Sequence, residues 1–238
     1  MSEGFVAGTV PFSAVDGPGN RYVVFLQGCG FDCLSCHNPG TIAVTPRGMS
    51  KTPVREVLEG IRQDASFLTG VTVTGGEATL QPGFVFELFA ALAGDPVTAR
   101  LTRFIDSNGD ADPQVWERLA PVTDGVMVDL KALDDEMHVV LTGSSNARVL
   151  VSIADLARRG LLYEVRLLMV AGLNDDDVTL KRTVEWLLGV DPQVRVRLIG
   201  MRRRGTRSCA KDLLEPTGAE LEHYRDVLSA NGLTRLTP

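Results

Sequence analysis

Three cysteines lie close together near the start of the chain, in the stretch FLQGCGFDCLSCHNPG. Cys29, Cys33 and Cys36 have the spacing Cys-x3-Cys-x2-Cys, and the only other cysteine is Cys209, far downstream. Disulfides need an even number of cysteines, and a closed zinc site needs four ligands. Iron–sulfur clusters are held by cysteine thiolates, typically four. Three thiols in one loop therefore predict a cluster with one iron left open for a small molecule.

Two other interpretations of this cysteine loop (residues 27–36) stay open. His37 or Cys209 would complete a zinc site, and the chain would then be a zinc-stabilised interaction module. His37 directly follows Cys36, which is awkward for binding the same ion. Alternatively, the three cysteines are buried free thiols, for which a glycine-rich loop is a poor setting. Metal analysis, for iron and sulfide or for zinc, separates these interpretations.

The bulk composition is that of an ordinary globular protein. A length of 238 residues favours one domain, residues 1–238, and suits a barrel-like α/β architecture. The net charge of −6 argues against general nucleic-acid binding. The sequence shows neither an N-terminal signal pattern nor an apolar run of about 18 residues. We therefore expect a cytoplasmic protein, with reduced thiols and no membrane or nucleic-acid partner.

Six apolar, β-branched segments predict strands. They are residues 22–26, 71–75, 101–106, 125–130, 164–170 and 194–200. Each segment is apolar throughout rather than alternating, which is typical of strands buried on both faces. Helical patterns lie between them, so the sequence predicts a parallel sheet with right-handed crossovers.

The helical patterns carry recognisable ends. They cover residues 52–61, 84–92, 116–120, 148–159 and 178–188. Thr52 is the predicted N-cap of the first, with Pro53 at its first helical position. Thr217 and Glu220 predict a capping box for a last helix, which the Asn-Gly pair at 231–232 ends.

Polar or glycine-rich groups follow each predicted strand, where parallel α/β folds gather their chemistry. After the cysteine loop come GGE (75–77), DSN (106–108), Asp129 with Lys131, and GMRRRG (200–205), while Arg166 lies inside the fifth strand. Taken singly, a glycine pair or DSNG is usually a turn, and a lysine is usually solvated. An arginine in a buried strand, however, needs an anionic partner. Together, these groups on one rim indicate a site.

The cysteine spacing, placed after the first strand, resembles that of the radical SAM enzymes. This resemblance implies a partial (β/α)6 barrel whose cluster binds S-adenosylmethionine (SAM) at its open iron. An electron from the [4Fe-4S] cluster cleaves SAM to methionine and a 5′-deoxyadenosyl radical, which abstracts hydrogen from the substrate. The protein supplies placement and electrostatics for that chemistry.

Further motifs resemble one group within that superfamily. VDGPG, CHNPGT, VTVTGGEA, VMVDLKAL, LTGSSN and VAGLNDDD are similar to the glycyl radical enzyme activases of the pyruvate formate-lyase-activating type. The match runs from about residue 5 to about residue 200, and fades in segment 201–238. It implies a partner glycyl radical enzyme, whose backbone glycine loses hydrogen, and a flavodoxin- or ferredoxin-type reductant. The alternative is a radical SAM enzyme on the same frame that modifies a peptide or a small molecule.

The resemblance also implies residues that bind SAM. Gly75, Gly76 and Glu77 would bind its methionyl amine. Lys131 and Arg166 would hold its carboxylate and neighbouring polar groups.

The resemblance also implies residues that would bind a monovalent cation and a residue that would lie near the partner enzyme. Asp106 and Asp129, with the backbone of Ser107 and Met127, match a cation site beside SAM. Asp16, in VDGPG, would lie near the glycine loop of the partner.

Three positions depart from the family pattern. Ser35 stands where an aromatic residue often packs on adenine, and residues 37–70 lack the cysteines of a second cluster. Arg202 stands roughly where pyruvate formate-lyase activators have a histidine near SAM. We expect Arg202 to reach SAM or an anionic part of the substrate, and the neighbouring Arg203, Arg204 and Arg207 to steer an acidic partner.

Overall fold

The structure is a computed structural model that describes residues 2–44 and 48–237. The chain divides into two compact units. Unit 1 comprises Met1–Gly30, Gly40–Ser107 and Ala111–Met127, and unit 2 comprises Phe31–Pro39, Asn108–Asp110 and Val128–Pro238. The division passes through the cysteine loop, so Cys29 belongs to unit 1 and the next two cysteines belong to unit 2.

Strands and helices alternate along most of the described chain. The strands are β1 Glu3–Gly4, β2 Val6–Ser13, β3 Arg21–Leu26, β4 Thr52–Pro53, β5 Gly70–Gly75, β6 Thr102–Ser107, β7 Gly125–Leu130, β8 Leu162–Met169, β9 Val196–Gly200 and β10 Leu236–Thr237. The α-helices are α1 Val54–Asp64, α2 Pro82–Gly94, α3 Pro113–Leu119, α4 Asp135–Thr142, α5 Ala147–Arg158, α6 Asp177–Val190 and α7 Gly218–Ala230.

Unit 1 contains a sheet whose strands follow the order β2-β3-β5-β6. β3, β5 and β6 are parallel, whereas β2 pairs with β3 in the antiparallel sense. Leu26 at the end of β3 pairs with Gly75 at the end of β5. The cysteine loop and the GGE segment therefore leave the sheet at the same level.

Unit 2 contains the parallel strands β8, β9 and β10, in that order. Met169 at the end of β8 pairs with Gly200 at the end of β9. A buried apolar cluster lies near these strand ends; its buried members are Ala132, Leu141, Val170, Met201, Ala210 and Leu213. Leu34 of the cysteine loop packs against this cluster, so the loop is anchored by apolar contact.

All six predicted strands are present, as β3, β5, β6, β7, β8 and β9, each within about two residues of its predicted bounds. The capping box is also confirmed: the Thr217 hydroxyl accepts from the Glu220 amide at 3.2 Å, and a Glu220 carboxylate oxygen accepts from the Thr217 amide at 2.7 Å. Gly232 follows with a φ of 108°, a conformation suited to glycine.

The predicted N-cap at Thr52 is wrong. α1 begins at Val54, with Pro53 at the N-cap position and no side-chain capping hydrogen bond. Thr52 and Pro53 form β4 instead, paired with Gly4 and Glu3 of β1. The backbone pairing with the N-terminus outcompetes the local cap, and this long-range partner is invisible in a local pattern.

His138 of α4 is fully buried and gives stability a pH dependence. Its Nδ1 lies 2.7 Å from the Ser144 carbonyl oxygen, so Nδ1 carries the proton and donates. Its Nε2 is buried with no hydrogen-bond partner among the described residues. Burial lowers the pKa of His138 below its ordinary value of 6.5, because the charged imidazolium would be desolvated.

We expect this histidine to weaken the fold in acid. Below about pH 6.5 the unfolded chain takes up the proton first, so the free energy of unfolding falls as pH falls. His138→Gln should start less stable, because a buried ring is lost, yet show a shallower slope of stability against pH between 6.5 and 5. Thermal unfolding at several pH values measures both quantities; equal slopes in the two proteins would contradict the prediction.

Candidate active site

The GGE segment packs directly against the start of the cysteine loop. The Gly76 amide donates to the Leu26 carbonyl at 2.8 Å, and the Glu77 amide donates to the Gly28 carbonyl at 2.7 Å. A Cβ at Gly76 would lie 2.1 Å from the Gly28 carbonyl oxygen. The paired glycines are therefore required by a close backbone approach, and they place Glu77 beside the residue that precedes Cys29.

We expect Gly76→Ala to destabilise unit 1. The clashing atoms belong to the backbone, which cannot move aside as a flexible side chain would, so the cost should be about 1–3 kcal/mol. Gly94→Ala is the matched control, because a Cβ at Gly94 meets nothing within 4 Å. Urea unfolding measures both variants; a Gly76→Ala protein as stable as the control would contradict the steric argument.

Glu77 is a buried carboxylate with a fixed orientation. It is 1 % exposed, and its Oε1 accepts from the Thr79 amide at 2.9 Å and the Thr79 hydroxyl at 2.7 Å. The Ser107 hydroxyl at the end of β6 also donates to Oε1, at 2.8 Å. The ends of β5 and β6 thus bring together two residues that the sequence predicted for the site. A carboxylate held in this way can accept strong hydrogen bonds from an ammonium group.

Asp106 and Asp16 lie at two other positions in unit 1. The Thr74 hydroxyl donates to Asp106 Oδ2 at 3.2 Å. The partly buried Asp16 accepts from the Ser13 hydroxyl at 2.5 Å, and its carbonyl accepts from the Thr72 hydroxyl at 2.7 Å. These bonds fix the VDGPG segment on β5.

Arg21 supports the same segment, although the sequence did not draw attention to it. Its side chain is fully buried; Nε donates to the Thr72 hydroxyl at 3.0 Å, and the guanidinium lies 4.6 Å from the Phe104 ring centroid. Arg21 is the first residue of β3, directly before the apolar run 22–26, and a charged residue at the start of a buried strand was the available signal.

Two charge pairs in unit 2 involve predicted site residues. Lys131 Nζ lies 2.7 Å from Asp129 Oδ2, with both side chains partly exposed. Arg166 Nε lies 3.2 Å from Glu164 Oε1, and both side chains are almost fully buried. The anionic partner expected for Arg166 is therefore present two residues earlier on the same strand.

Lys131 also acts on the cysteine loop. Burial raises the pKa of the Cys33 thiol, and the positive charge of Lys131 opposes that rise. A nearby cation favours the thiolate, which is the form that binds metal. Asn174, in the VAGLNDDD motif, holds the Lys131 backbone by donating to its carbonyl oxygen at 2.8 Å. The sequence offered this asparagine only as part of a motif.

The last turn of α4 supports one side of the cysteine loop. The Asp32 amide donates to the Thr142 carbonyl at 2.9 Å, and the Leu34 amide donates to the Leu141 carbonyl at 3.0 Å. Phe31 packs edge-on against His138, with ring centroids 5.4 Å apart. These contacts give the LTGSSN motif a structural role: its helix end offers unsatisfied carbonyls to the loop.

The segment from Arg202 to Cys209 supports the same loop by different contacts. Arg207 Nη1 lies 2.6 Å from Asp32 Oδ1, so this arginine is held at the loop. Its role in steering an acidic partner stays a prediction. The Cys209 thiol is 3.7 Å from the Leu34 carbonyl oxygen, and His37 Nε2 is 2.9 Å from the Arg202 carbonyl oxygen.

The other arginines of this segment are exposed. Arg202 and Arg203 each pair with Glu215, at 3.5 and 3.6 Å. The proximity of Arg202 to SAM stays a prediction.

The thiols suit a cluster. None of the four cysteines forms a disulfide; Cys29, Cys33 and Cys36 are partly buried, and Cys209 is exposed. In the described ranges 2–44 and 48–237, no group of three His, Cys, Asp or Glu side chains is arranged to hold a single metal ion. Three partly accessible thiols on one loop, none of them in a disulfide, form the soft donor set that iron–sulfur clusters take.

Comparison with known proteins adds the family. Residues 23–187 match the model of the Radical SAM superfamily, which covers well over half of the chain. The chain belongs to the radical SAM superfamily. It is therefore a radical SAM enzyme, with a [4Fe-4S] cluster and SAM as its cofactors, as the motifs predicted.

Two relatives resemble this radical SAM enzyme over most of their length. The pyruvate formate-lyase-activating enzyme of Streptococcus mutans is 35% identical over 189 residues, which cover 77% of this chain and 72% of that protein. The pyruvate formate-lyase 1-activating enzyme of Escherichia coli K12 is 35% identical over 198 residues, covering 80% and 78%. The resemblance to the activases is thereby confirmed.

A solved structure confirms the fold. A radical SAM methyltransferase from Sphaerobacter thermophilus matches with a TM-score of 0.71 at 17% identity, over 91% of this chain and 65% of that one. Together with the parallel strands, this match confirms the predicted α/β fold of radical SAM type. Among the described residues, no helix is long and apolar enough to cross a bilayer.

Proposed function

We propose that this radical SAM enzyme activates a glycyl radical enzyme by abstracting hydrogen from a backbone glycine of that partner. The observation that carries the proposal is the 35% identity with pyruvate formate-lyase 1-activating enzyme over 80% of the chain. The partner is accordingly a pyruvate formate-lyase or a related enzyme. The buried, oriented Glu77 next to the cysteine loop supports the proposal, because it supplies a ready-made anionic acceptor where a SAM ammonium group is expected.

Cys29, Cys33 and Cys36 would hold the cluster through their thiolates. When bound, the cluster would supply the electron for reductive cleavage of SAM, and SAM would supply the group that takes hydrogen from the substrate. The protein contributes by holding the loop in place. Hydrogen bonds from Gly28 to the Thr41 carbonyl at 2.8 Å and from Cys29 to the Ile42 carbonyl at 3.0 Å close the base of the loop.

The SAM amino acid would be bound by groups of opposite charge. Glu77, with the backbone of Gly75 and Gly76, would accept from the ammonium group. Lys131 and Arg166 would donate to the carboxylate, for which the guanidinium of an arginine is well matched. Arg202 is assigned to SAM or to an anionic part of the substrate.

We assign the carboxylates of Asp106 and Asp129, with the backbone of Ser107 and Met127, to a monovalent cation. The resemblance to the activases supports this assignment, and a bound cation lowers the cost of burying a carboxylate. Asp16 would contact the glycine loop of the partner, because its carboxylate is partly exposed and held by Ser13.

The remaining assignments concern the cell. We assign the protein to the cytoplasm, where its four thiols stay reduced, and its electron donor to the flavodoxin or ferredoxin type. The chain acts as one radical SAM domain over residues 1–238 in this proposal.

Anaerobic reconstitution tests the function. The enzyme is loaded with iron and sulfide, reduced with dithionite, and mixed with SAM and purified pyruvate formate-lyase. Electron paramagnetic resonance should show an organic glycyl radical on the partner. A partner variant with alanine at the radical glycine should stay silent. SAM cleavage with no radical on the partner would instead favour the alternative, a peptide or small-molecule substrate.

A further inference from the structure

One arginine from the C-terminal segment reaches the backbone of the cysteine loop. Arg207 Nη1 lies 2.6 Å from Asp32 Oδ1. Its Nη2 donates to the Cys33 carbonyl oxygen at 2.7 Å and to the Asp32 carbonyl oxygen at 3.1 Å. One guanidinium therefore binds a side chain and two successive carbonyls of the loop, although Arg207 is 174 residues from Cys33 along the chain.

The loop is held from a second direction by α4. The amides of Asp32 and Leu34 donate to the carbonyls of Thr142 and Leu141. Arg207 binds the carbonyl groups of Asp32 and Cys33, so both kinds of backbone group in this short stretch have fixed partners. Cys33 thus lies in a stretch whose peptide planes are set by α4 and by Arg207 together.

The contact also places a charge beside a cluster ligand. The Arg207 side chain is 29% exposed, whereas that of its partner Asp32 is 70% exposed. The carboxylate is therefore the better solvated of the two, and the guanidinium charge is screened less. Hydrogen bonds and net charge around a cluster set its reduction potential, and a positive charge favours the reduced, more negative cluster.

We propose that Arg207 is a positioning residue for the [4Fe-4S] cluster, which fixes the peptide on either side of Cys33 and raises the cluster's reduction potential. This inference rests on the proposed assignment of Cys33 as a cluster ligand. It gives the divergent C-terminal segment a definite role, which is to hold the loop that binds the cluster. Local sequence patterns do not reveal this contact.

The test uses the reconstituted holoenzyme and four variants. Arg207→Ala removes the contact and the charge, and Arg207→Lys keeps the charge but cannot bind three acceptors with one planar group. Asp32→Asn removes the carboxylate charge and keeps the backbone. Arg204→Ala, at an exposed position of the same segment, is the matched control. Iron release to a chelator and the midpoint potential are measured for each protein.

Iron release reports the positioning role. Hydrogen bonds to a charged group are the strong ones, so Arg207→Ala should release iron at least about tenfold faster than wild type. Arg207→Lys should also release iron faster, whereas Arg204→Ala should match wild type. If Arg207→Ala retained iron as well as the control did, the positioning role would be overturned.

The midpoint potential separates a specific electrostatic role from general damage. Arg207→Ala should shift the potential downward and Asp32→Asn should shift it upward, while Arg207→Lys stays near wild type. Shifts of the same sign in Arg207→Ala and Asp32→Asn, or none in either, would overturn the electrostatic role. If Arg207→Ala did not fold by circular dichroism, Asp32→Asn and Arg207→Lys would still decide the question. A wild-type protein that bound no cluster would refute the assignment of the cysteines instead.

Discussion

Replacing Cys29, Cys33 or Cys36 with alanine should each abolish the [4Fe-4S] cluster, and Cys209→Ala should leave it intact. In the proposed assignment, each of the three supplies one protein ligand of a cluster that already has an open iron, so losing one leaves too few thiolates. Iron and sulfide content and visible absorbance after anaerobic reconstitution measure the effect.

The Cys209 variant makes this comparison informative, because the Cys209 thiol lies close to the cysteine loop. Its Sγ lies 3.7 Å from the Leu34 carbonyl oxygen, within the cysteine loop. A cluster that survived loss of Cys36 but not loss of Cys209 would contradict the assignment of ligands. Zinc in place of iron in the wild-type protein would favour the interaction-module alternative.

Removing the cationic side chains at β7 and β8 should weaken SAM binding by about 10- to 100-fold while the cluster remains. Charge-assisted hydrogen bonds of about 1.5–3 kcal/mol give that range. The variants are Lys131→Ala and Arg166→Ala. Arg148→Ala is the control, because it also removes a cation that pairs with an aspartate, Asp110, but its side chain is 63% exposed. Isothermal titration of SAM under anaerobic conditions measures affinity.

Arg166 needs one further variant, because its removal affects Glu164. The two side chains are 9% and 8% exposed, so Arg166→Ala leaves a buried carboxylate without this partner and lowers stability. The double variant Glu164→Gln/Arg166→Met removes both charges and keeps the volume. Unchanged SAM affinity in this double variant and in Lys131→Ala would show that neither Lys131 nor Arg166 binds SAM.

The parallel strands were predictable because their signal is local. The segments that become β3, β5 and β7 are continuous apolar runs, and burial on both faces requires that composition. β2 was missed because its residues are mostly exposed and include Pro11, so it lacks an apolar run. α4, Asp135–Thr142, was missed because its buried residues are His138, Leu141 and Thr142, of which only leucine is apolar, so it lacks an apolar stripe.

The site residues that come directly after a strand could be predicted from the sequence. Glu77 and Ser107 meet as the order of strands β5 and β6 requires. The contacts of Arg207 and Cys209 with the cysteine loop were not predictable, because they join segments about 170 residues apart and depend on how the C-terminal segment folds back. A charge run has no signal that separates a solvated arginine from one held by two carbonyl groups.

Transfer of the glycine hydrogen tests the central claim most directly. Pyruvate formate-lyase labelled with α-deuterated glycine is incubated with the reduced enzyme and SAM, and the 5′-deoxyadenosine product is analysed by mass spectrometry. We expect one deuterium in the product, together with a glycyl radical on the partner. Product formed at the same rate without deuterium would show that the hydrogen comes from elsewhere and would contradict the proposed activity.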